Sequence, residues 1–136
     1  MLNKRKLFLV VIFFGAAISV GCATTSNSFI SYEVIKAPEE IVGVWTGSSL
    51  GATTTYVINS DGTGIVCNDF NSTVNIDRLK YIGDGNLAYG KGFTFSIERD
   101  GNVLNSSWYG SGMEMVRDPE LKHAAITCIE PLKSYL

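Results

Sequence analysis

Residues 93–101 read FTFSIERDG, and this stretch decides the fold class. Its aromatic and aliphatic residues alternate with polar ones, which is the period-two pattern of a strand with one buried face. Asp100-Gly101 follows at once, and such a dipeptide is typical of a two-residue hairpin turn. Residues 102–109 then place their apolar positions on one face again. The stretch therefore predicts an antiparallel hairpin.

Similar short segments lie on both sides of this hairpin. They cover residues 42–47, 53–58, 63–68, 74–81, 87–89 and 113–117. Turn-forming Gly, Asp and Asn separate them roughly every 8–12 residues, as in antiparallel barrels and sandwiches. The sequence thus predicts an all-β, mainly antiparallel fold, either a small up-and-down β-barrel or a sandwich. A change of phase between Ile76 and Leu79 indicates a bulge.

Two short helical segments are predicted at the ends of this β region. Pro38 at a first helical position, followed by two acids, indicates one helical turn. Asp118-Pro119-Glu120 has the residue types of a helix start and predicts a short C-terminal helix that ends before Thr127. His123, the only histidine, would lie on that helix as a surface residue.

The N-terminus has the pattern of a secretory signal peptide. Basic residues 4–6 precede an apolar run at 7–18, small residues follow, and Cys22 comes next. A transmembrane anchor is the alternative, but residues 7–21 are too few to span the roughly 20-residue hydrocarbon layer. We expect residues 1–21 to be a signal peptide, 22–36 the lipidated cysteine with its tether, and 37–136 the β-barrel-like domain. Within the tether, residues 29–35 could form an early strand or an extended arm.

Ser19-Val20-Gly21-Cys22 resembles the lipobox of bacterial lipoproteins, although Leu is most common where Ser19 stands. The resemblance implies cleavage before Cys22, a diacylglyceryl group on its sulfur and an acyl chain such as palmitate on its new amino group. Two or three chains anchor a protein stably. Ala23 in place of Asp implies the outer membrane, if the envelope is Gram-negative.

Gly43-x-Trp45-x-Gly47 followed by a β-meander resembles the opening of small lipocalin-like bacterial lipoproteins. In lipocalins a Gly-x-Trp strand opens the barrel, and its Trp packs across the barrel base. The alternative interpretation is that Trp45 is an ordinary core aromatic.

The net charge of the mature part limits the classes of partner that it can bind. The chain has 11 basic residues, three of which belong to the predicted signal peptide. The remaining eight face 13 acidic residues, which gives the mature part a net charge of −5. Such a domain lacks the basic cluster that nucleic acid or anionic head groups need.

Cys67 and Cys128 are an even pair in an exported domain, which predicts a disulfide. Two separate buried thiols are the alternative.

No residue set predicts catalysis, a metal site or a cofactor. The chain has one histidine, no G-x-S-x-G motif and no zinc-ligand spacing, and its Asp residues lie mostly at turns. We therefore expect a non-enzyme. Trp108 and Tyr109 precede the Gly110-Ser111-Gly112 segment, a predicted flexible link, and form a candidate binding patch. Alternatively, they lie under a neighbouring loop.

These features favour an envelope lipoprotein that binds a protein partner without catalysis, as inhibitors and immunity proteins do. A lipocalin-like carrier of a small apolar ligand is the alternative. It would need an open interior, which Trp and several Phe are expected to fill in so small a barrel. A structural component of the envelope is a third possibility.

Overall fold

Residues 27–136 of the chain are described by a computed structural model. The predicted signal peptide and Cys22 lie outside the described residues. Eight antiparallel strands form a closed barrel in which each strand pairs with the next and the first pairs with the last. The strands are β1 Gly43–Ser49, β2 Ala52–Ile58, β3 Thr63–Phe70, β4 Thr73–Gly83, β5 Asn86–Tyr89, β6 Thr94–Asp100, β7 Val103–Trp108 and β8 Ser111–Arg117. The predicted all-β antiparallel fold is confirmed, and of the two predicted architectures, barrel and sandwich, the protein has the up-and-down barrel.

Three short helical segments accompany the barrel: α1 Ser28–Ser31, a 3-10 helix Glu39–Ile41 and α2 Ile126–Lys133. Across residues 27–136, none of these helices has the length and apolar character needed to cross a bilayer. The helical turn predicted after Pro38 is confirmed by the 3-10 helix.

Side-chain alternation divides the apolar residues into two layers. The inner layer fills the half of the barrel that contains Trp45. It is made of Ala37, Ile41, Trp45, Tyr56, Ile58, Val66, Leu79, Tyr81, Leu87, Ile97, Leu104 and Met115. The outer layer lies between the barrel wall and the C-terminal segment and is made of Val44, Val57, Cys67, Leu121, Cys128 and Leu132. Helix α2 therefore covers the outside of β1–β3.

A disulfide fixes α2 to the barrel wall. Cys67 on β3 is bonded to Cys128 on α2, with the two Cα atoms 5.9 Å apart. Both residues are fully buried. Thr127 donates a further hydrogen bond to the Asp69 carboxylate beside the bridge. The predicted pairing is confirmed.

The two ends of the barrel differ, and we call them the mouth and the base. The hairpins β1–β2, β3–β4, β5–β6 and β7–β8 lie at the mouth. The other three hairpins and the 3-10 helix lie at the base. Trp45 closes the base: its indole N–H donates to the Ile41 carbonyl over 2.8 Å. The Arg117 guanidinium stacks 4.4 Å from the ring centroid and donates to the carbonyls of Val42 and Glu40.

Strand β4 corrects one prediction. Its pairing with β3 runs without interruption from Thr73 to Lys80, so the bulge predicted between Ile76 and Leu79 is wrong. Ile76 is partly exposed on the outer face, while Leu79 is buried inside the barrel. The phase change in the sequence therefore marks a change in which face carries apolar residues. The irregularity of β4 occurs later, where it pairs with β5 near Gly83.

The C-terminal helix lies later than predicted, because residues 118–125 form turns and α2 begins at Ile126. Asp118 explains the difference. Its buried carboxylate accepts the backbone N–H groups of Lys122, His123 and Ala124, at 2.7 to 3.1 Å, and the Thr46 hydroxyl at 3.0 Å. These bonds hold a turn against β1 in place of a helix start. His123 is exposed on this turn and not on a helix.

Two predicted turns are shifted or tighter than expected. Asp100 pairs with Val103, so the turn residues are Gly101 and Asn102, one position later than predicted. Trp108 pairs with Ser111, which leaves Tyr109 and Gly110 as a two-residue turn. Both have positive φ, 46° and 80°, as a hairpin turn of this kind requires. The predicted flexible link at Gly110-Ser111-Gly112 is therefore part of a tight hairpin.

Residues 27–36, which the sequence assigns to the tether, pack on the barrel. Phe29 is buried, with the Lys80 ammonium 4.5 Å from its ring centroid. The same ammonium donates to the carbonyls of Phe29 and Tyr32. The described part of this segment is thus a short helix and an extended arm along β4.

Candidate functional site

A cavity of about 330 Å³ opens at the mouth of the barrel. Inward-facing residues from all eight strands surround it, and small or polar side chains share the lining with aromatic ones. Its lining includes Ser49, Thr54, Tyr56, Asn68, Asn75, Asp77, Tyr89, Lys91, Phe93, Phe95, Ser106, Trp108, Ser111, Gly112 and Met113. The expectation that aromatic residues fill the interior is wrong for this half of the barrel.

Hydroxyl groups form the floor of the cavity. Tyr89 donates its phenolic hydrogen to the Tyr56 oxygen over 3.1 Å, and the Tyr56 and Ser106 hydroxyls are 2.9 Å apart. Burial raises the pKa of both phenols above the ordinary value. Both tyrosines therefore stay neutral at physiological pH. The floor separates the open cavity from the packed core around Trp45.

Aromatic rings form one wall of the cavity. The Tyr89 and Phe95 ring centroids are 4.3 Å apart, and Phe95 lies 5.8 Å from Trp108. Phe93 then contacts Trp108 edge-on at 5.9 Å. These spacings lie in the range of favourable aromatic pairs. The wall leads from the floor to the mouth without a break.

Strands β3 and β4 contribute two hydrogen-bond acceptors to the cavity, Asn68 and Asp77, and one of them is unpaired among the described residues. The Asn68 side-chain oxygen is buried and has no hydrogen-bond partner within residues 27–136. Leaving such an atom unpaired costs about 1–3 kcal/mol. Asp77 also lines the cavity, and its carboxylate accepts the N–H of Arg78 at 2.8 Å but forms no ion pair in the described part of the chain. A ligand with hydrogen-bond donors would satisfy both groups.

Gly90 lets Asp77 take this position. A Cβ atom at residue 90 would stand 2.0 Å from the Asp77 carboxylate oxygen, which is closer than any real contact. A larger residue at position 90 would therefore displace this carboxylate from its position beside the β5–β6 hairpin.

The two predicted binding residues are placed differently. Trp108 is 43% exposed and lines the cavity, whereas Tyr109 is 92% exposed on the adjoining turn. Sequence reasoning missed Tyr56, Asn68 and Tyr89. The signal was present: all three share a strand face with the core, and Asn68 and Tyr89 lie near the mouth ends of β3 and β5.

No three His, Cys, Asp or Glu side chains of residues 27–136 are grouped as metal ligands. The exposed His123 lies on the Asp118 turn, and His123 is not among the residues that line the cavity.

The barrel resembles solved bacterial lipoproteins in fold. A lipocalin lipoprotein affecting virulence in Streptococcus pneumoniae matches with a TM-score of 0.51 at 14% identity, covering 62% of this chain and 100% of that one. The lipoprotein YedD from Klebsiella pneumoniae subsp. pneumoniae MGH 78578 matches with a TM-score of 0.57 at 15% identity, covering 79% and 92%. No family model and no curated protein matches the chain. The predicted likeness to lipocalin-like lipoprotein barrels is thus confirmed at the level of fold.

Proposed function

We propose that this chain is a lipid-anchored lipoprotein of the bacterial envelope that carries a small amphipathic ligand in the mouth of its barrel. The observation that carries the proposal is the open cavity, with an aromatic wall on one side and, on another, the Asp77 carboxylate and the Asn68 oxygen, which has no hydrogen-bond partner within residues 27–136. Its volume of about 330 Å³ lies at the lower end of small-molecule sites, which span roughly 300–1,000 Å³. The fold shared with a lipocalin lipoprotein supports the proposal.

The cavity also indicates the chemistry of the ligand. Phe95, Trp108 and Met113 offer an apolar surface to its body. Asn68 and Asp77 offer acceptor oxygens, so the polar end should carry hydrogen-bond donors such as hydroxyl or amino groups. The ligand is therefore amphipathic and not purely apolar, as a simple apolar carrier would require.

Binding of a protein partner, of the inhibitor or immunity type, is a second proposal. The exposure of Trp108 and Tyr109 at the mouth favours it, since aromatic residues often anchor interfaces. It leaves the buried Asn68 oxygen unexplained, because a partner docked on the mouth would not reach that atom. We therefore rank it second. Neither proposal includes catalysis.

A matched pair of cavity variants tests the ligand proposal. Ser49 lines the cavity, has no side-chain hydrogen bond within it and is only partly buried, so Ser49→Phe adds a ring with little effect on folding. The wild-type protein should bind the neutral fluorophore N-phenyl-1-naphthylamine, with a rise in its emission. Ser49→Phe should abolish that rise and Trp108→Ala should weaken binding about tenfold, or about 1.4 kcal/mol.

Tyr109→Ala is the control for that titration, because the side chain is 92% exposed and lies outside the cavity lining. Its affinity and its melting curve should equal those of the wild type. Equal binding by Ser49→Phe and the wild type would place the probe outside the cavity and reject the proposal.

The anchor is tested at Cys22. The Cys22→Ser protein cannot receive a thioether-linked diacylglyceryl group, so it should remain unprocessed or appear in the soluble fraction. Metabolic labelling with a radioactive fatty acid, followed by fractionation of the membranes, measures both effects. Label incorporated at the wild-type level would reject the anchor. Separation of inner from outer membranes tests the location that Ala23 indicates.

A further inference from the structure

Exposed apolar side chains surround the mouth, and every hairpin at that end contributes at least one. We call these five residues the rim: Leu50, Phe70, Phe93, Trp108 and Tyr109, with exposures of 87%, 52%, 51%, 43% and 92%. They come from four separate turns that meet only in the folded barrel. Phe93 and Tyr109 are both in contact with Trp108, and exposed apolar residues grouped in this way mark an interaction surface.

The two ends of the barrel also differ in their charged residues. In the mouth segments 48–52, 70–73, 90–93 and 108–112, Lys91 is the only charged residue. Each of the three base hairpins carries an exposed aspartate, and the 3-10 helix at the base adds two exposed glutamates. These acids are Asp61, Asp84, Asp100, Glu39 and Glu40. The four mouth turns thus carry one cation and no acid, whereas at the base these five acids outnumber the cations Lys36, Arg99 and Arg117.

The N-terminal arm reaches the barrel from the mouth side. Asn27 and Ser28 donate to the carbonyls of Gly90 and Gly92 on the β5–β6 hairpin. The arm then runs to the base, where the Ala37 N–H donates to the Ser60 carbonyl over 3.2 Å. Residues before Asn27 therefore continue from the hairpin that carries Phe93.

Chain length limits how far the lipid can be from that hairpin. Four residues lie between Cys22 and Asn27, so five Cα–Cα steps of at most about 3.6 Å each give a reach of roughly 18 Å. The membrane surface that holds an acylated Cys22 must lie within this reach of the β5–β6 hairpin.

We propose that the rim contacts the lipid bilayer, so that the mouth faces the membrane in which the protein is anchored. This inference rests on the lipid anchor proposed above. Trp and Tyr side chains favour the membrane interface, and the rim contains one of each. Anionic head groups repel the acidic base and attract Lys91. In this orientation the cavity exchanges its ligand directly with the lipid phase.

The two tryptophans provide an internal test, because Trp108 lies on the rim and Trp45 is fully buried at the base. The acylated full-length protein is reconstituted in vesicles of phosphatidylethanolamine and phosphatidylglycerol, with and without a dibrominated phosphatidylcholine. The wild-type emission should shift to the blue and be quenched by the brominated lipid. The Trp108→Phe protein, which retains only Trp45, should show no quenching.

Rim and base variants complete the test. Leu50→Asp and Tyr109→Asp alter exposed turn residues and should reduce the quenching of Trp108. The matched base variant, Asn102→Asp, should not. Quenching that persists in Ser49→Phe comes from the bilayer and not from a brominated chain within the cavity, so the result does not depend on ligand binding.

Three outcomes would overturn the orientation. The first is a wild-type protein that is acylated but not quenched. The second is a blue shift that depends on protein concentration and not on bromine, which would indicate pairing of two mouths. The third is quenching lost in Ser49→Phe, which would indicate a lipid bound in the cavity only. A protein that carries no acyl chain would instead reject the proposed anchor.

Discussion

Replacing Trp45 with alanine should lower the free energy of unfolding by about 3–5 kcal/mol, the usual range for a buried tryptophan. The indole is fully buried at the base and donates to the Ile41 carbonyl. Its removal leaves that buried carbonyl without its partner and a void between the 3-10 helix and the lower core. Urea denaturation of the oxidised protein, followed by far-ultraviolet circular dichroism, measures the change.

Two controls separate the sources of this loss. Trp45→Phe keeps most of the ring but removes the indole N–H, so it should cost less than Trp45→Ala. Arg117→Lys keeps the charge at the base but loses the planar stacking on the Trp45 ring and part of the forked hydrogen bonding to Val42 and Glu40. If Trp45→Ala denatured at the wild-type urea concentration, Trp45 would not close the base.

Removing the disulfide should destabilise the protein by up to about 4 kcal/mol, the chain-entropy estimate for a closed loop of 61 residues. The double variant Cys67→Ser and Cys128→Ser frees α2 from β3 except for packing and the Thr127–Asp69 hydrogen bond. The urea midpoint should fall, and α2 should become accessible to proteolysis before the barrel does.

The control for the bridge is the wild-type protein with and without reductant. Reduction should reproduce the stability of the double variant, which has no thiol at positions 67 and 128 to reduce. Alkylation of the denatured, non-reduced 23–136 fragment should detect no free thiol. Two reactive thiols in a protein made in an oxidising compartment would contradict the bond.

The alternation and turn residues of the sequence suffice to predict an antiparallel barrel or sandwich, because both are local properties; the closure of β1 on β8 is not local and decides between them. FTFSIER and its return strand show this well, and the turn between them was misplaced by only one residue. The C-terminal helix begins later than predicted because Asp118 does not start a helix. Its carboxylate accepts the backbone N–H groups of residues 122–124 and so holds a turn against β1. Its bond to Thr46 depends on the tertiary structure and leaves no mark in the local pattern.

The site was predicted only in part for the same reason. The sequence indicates Trp108 as a candidate binding residue because it is an aromatic residue close to two glycines, and it does line the cavity. Tyr56 was recognised only as an inward-facing strand residue, and whether its hydroxyl borders a core or a cavity depends on Ser106 and Tyr89 across the barrel. The cavity depends on the combined size of side chains on eight strands, which no single segment reveals.

The pairing of β1 with β8 has a consequence for the order of folding. Every other strand pair joins neighbours in the sequence, so seven hairpins can form by short-range search. Closure instead joins Trp45 to Arg117 and must bring together two ends of the β-meander. Loop-closure entropy makes such a step slow relative to hairpin formation. The base is thus sealed last, and a chain truncated before β8 would retain its hairpins as an open sheet with two unpaired edges, a form prone to aggregation.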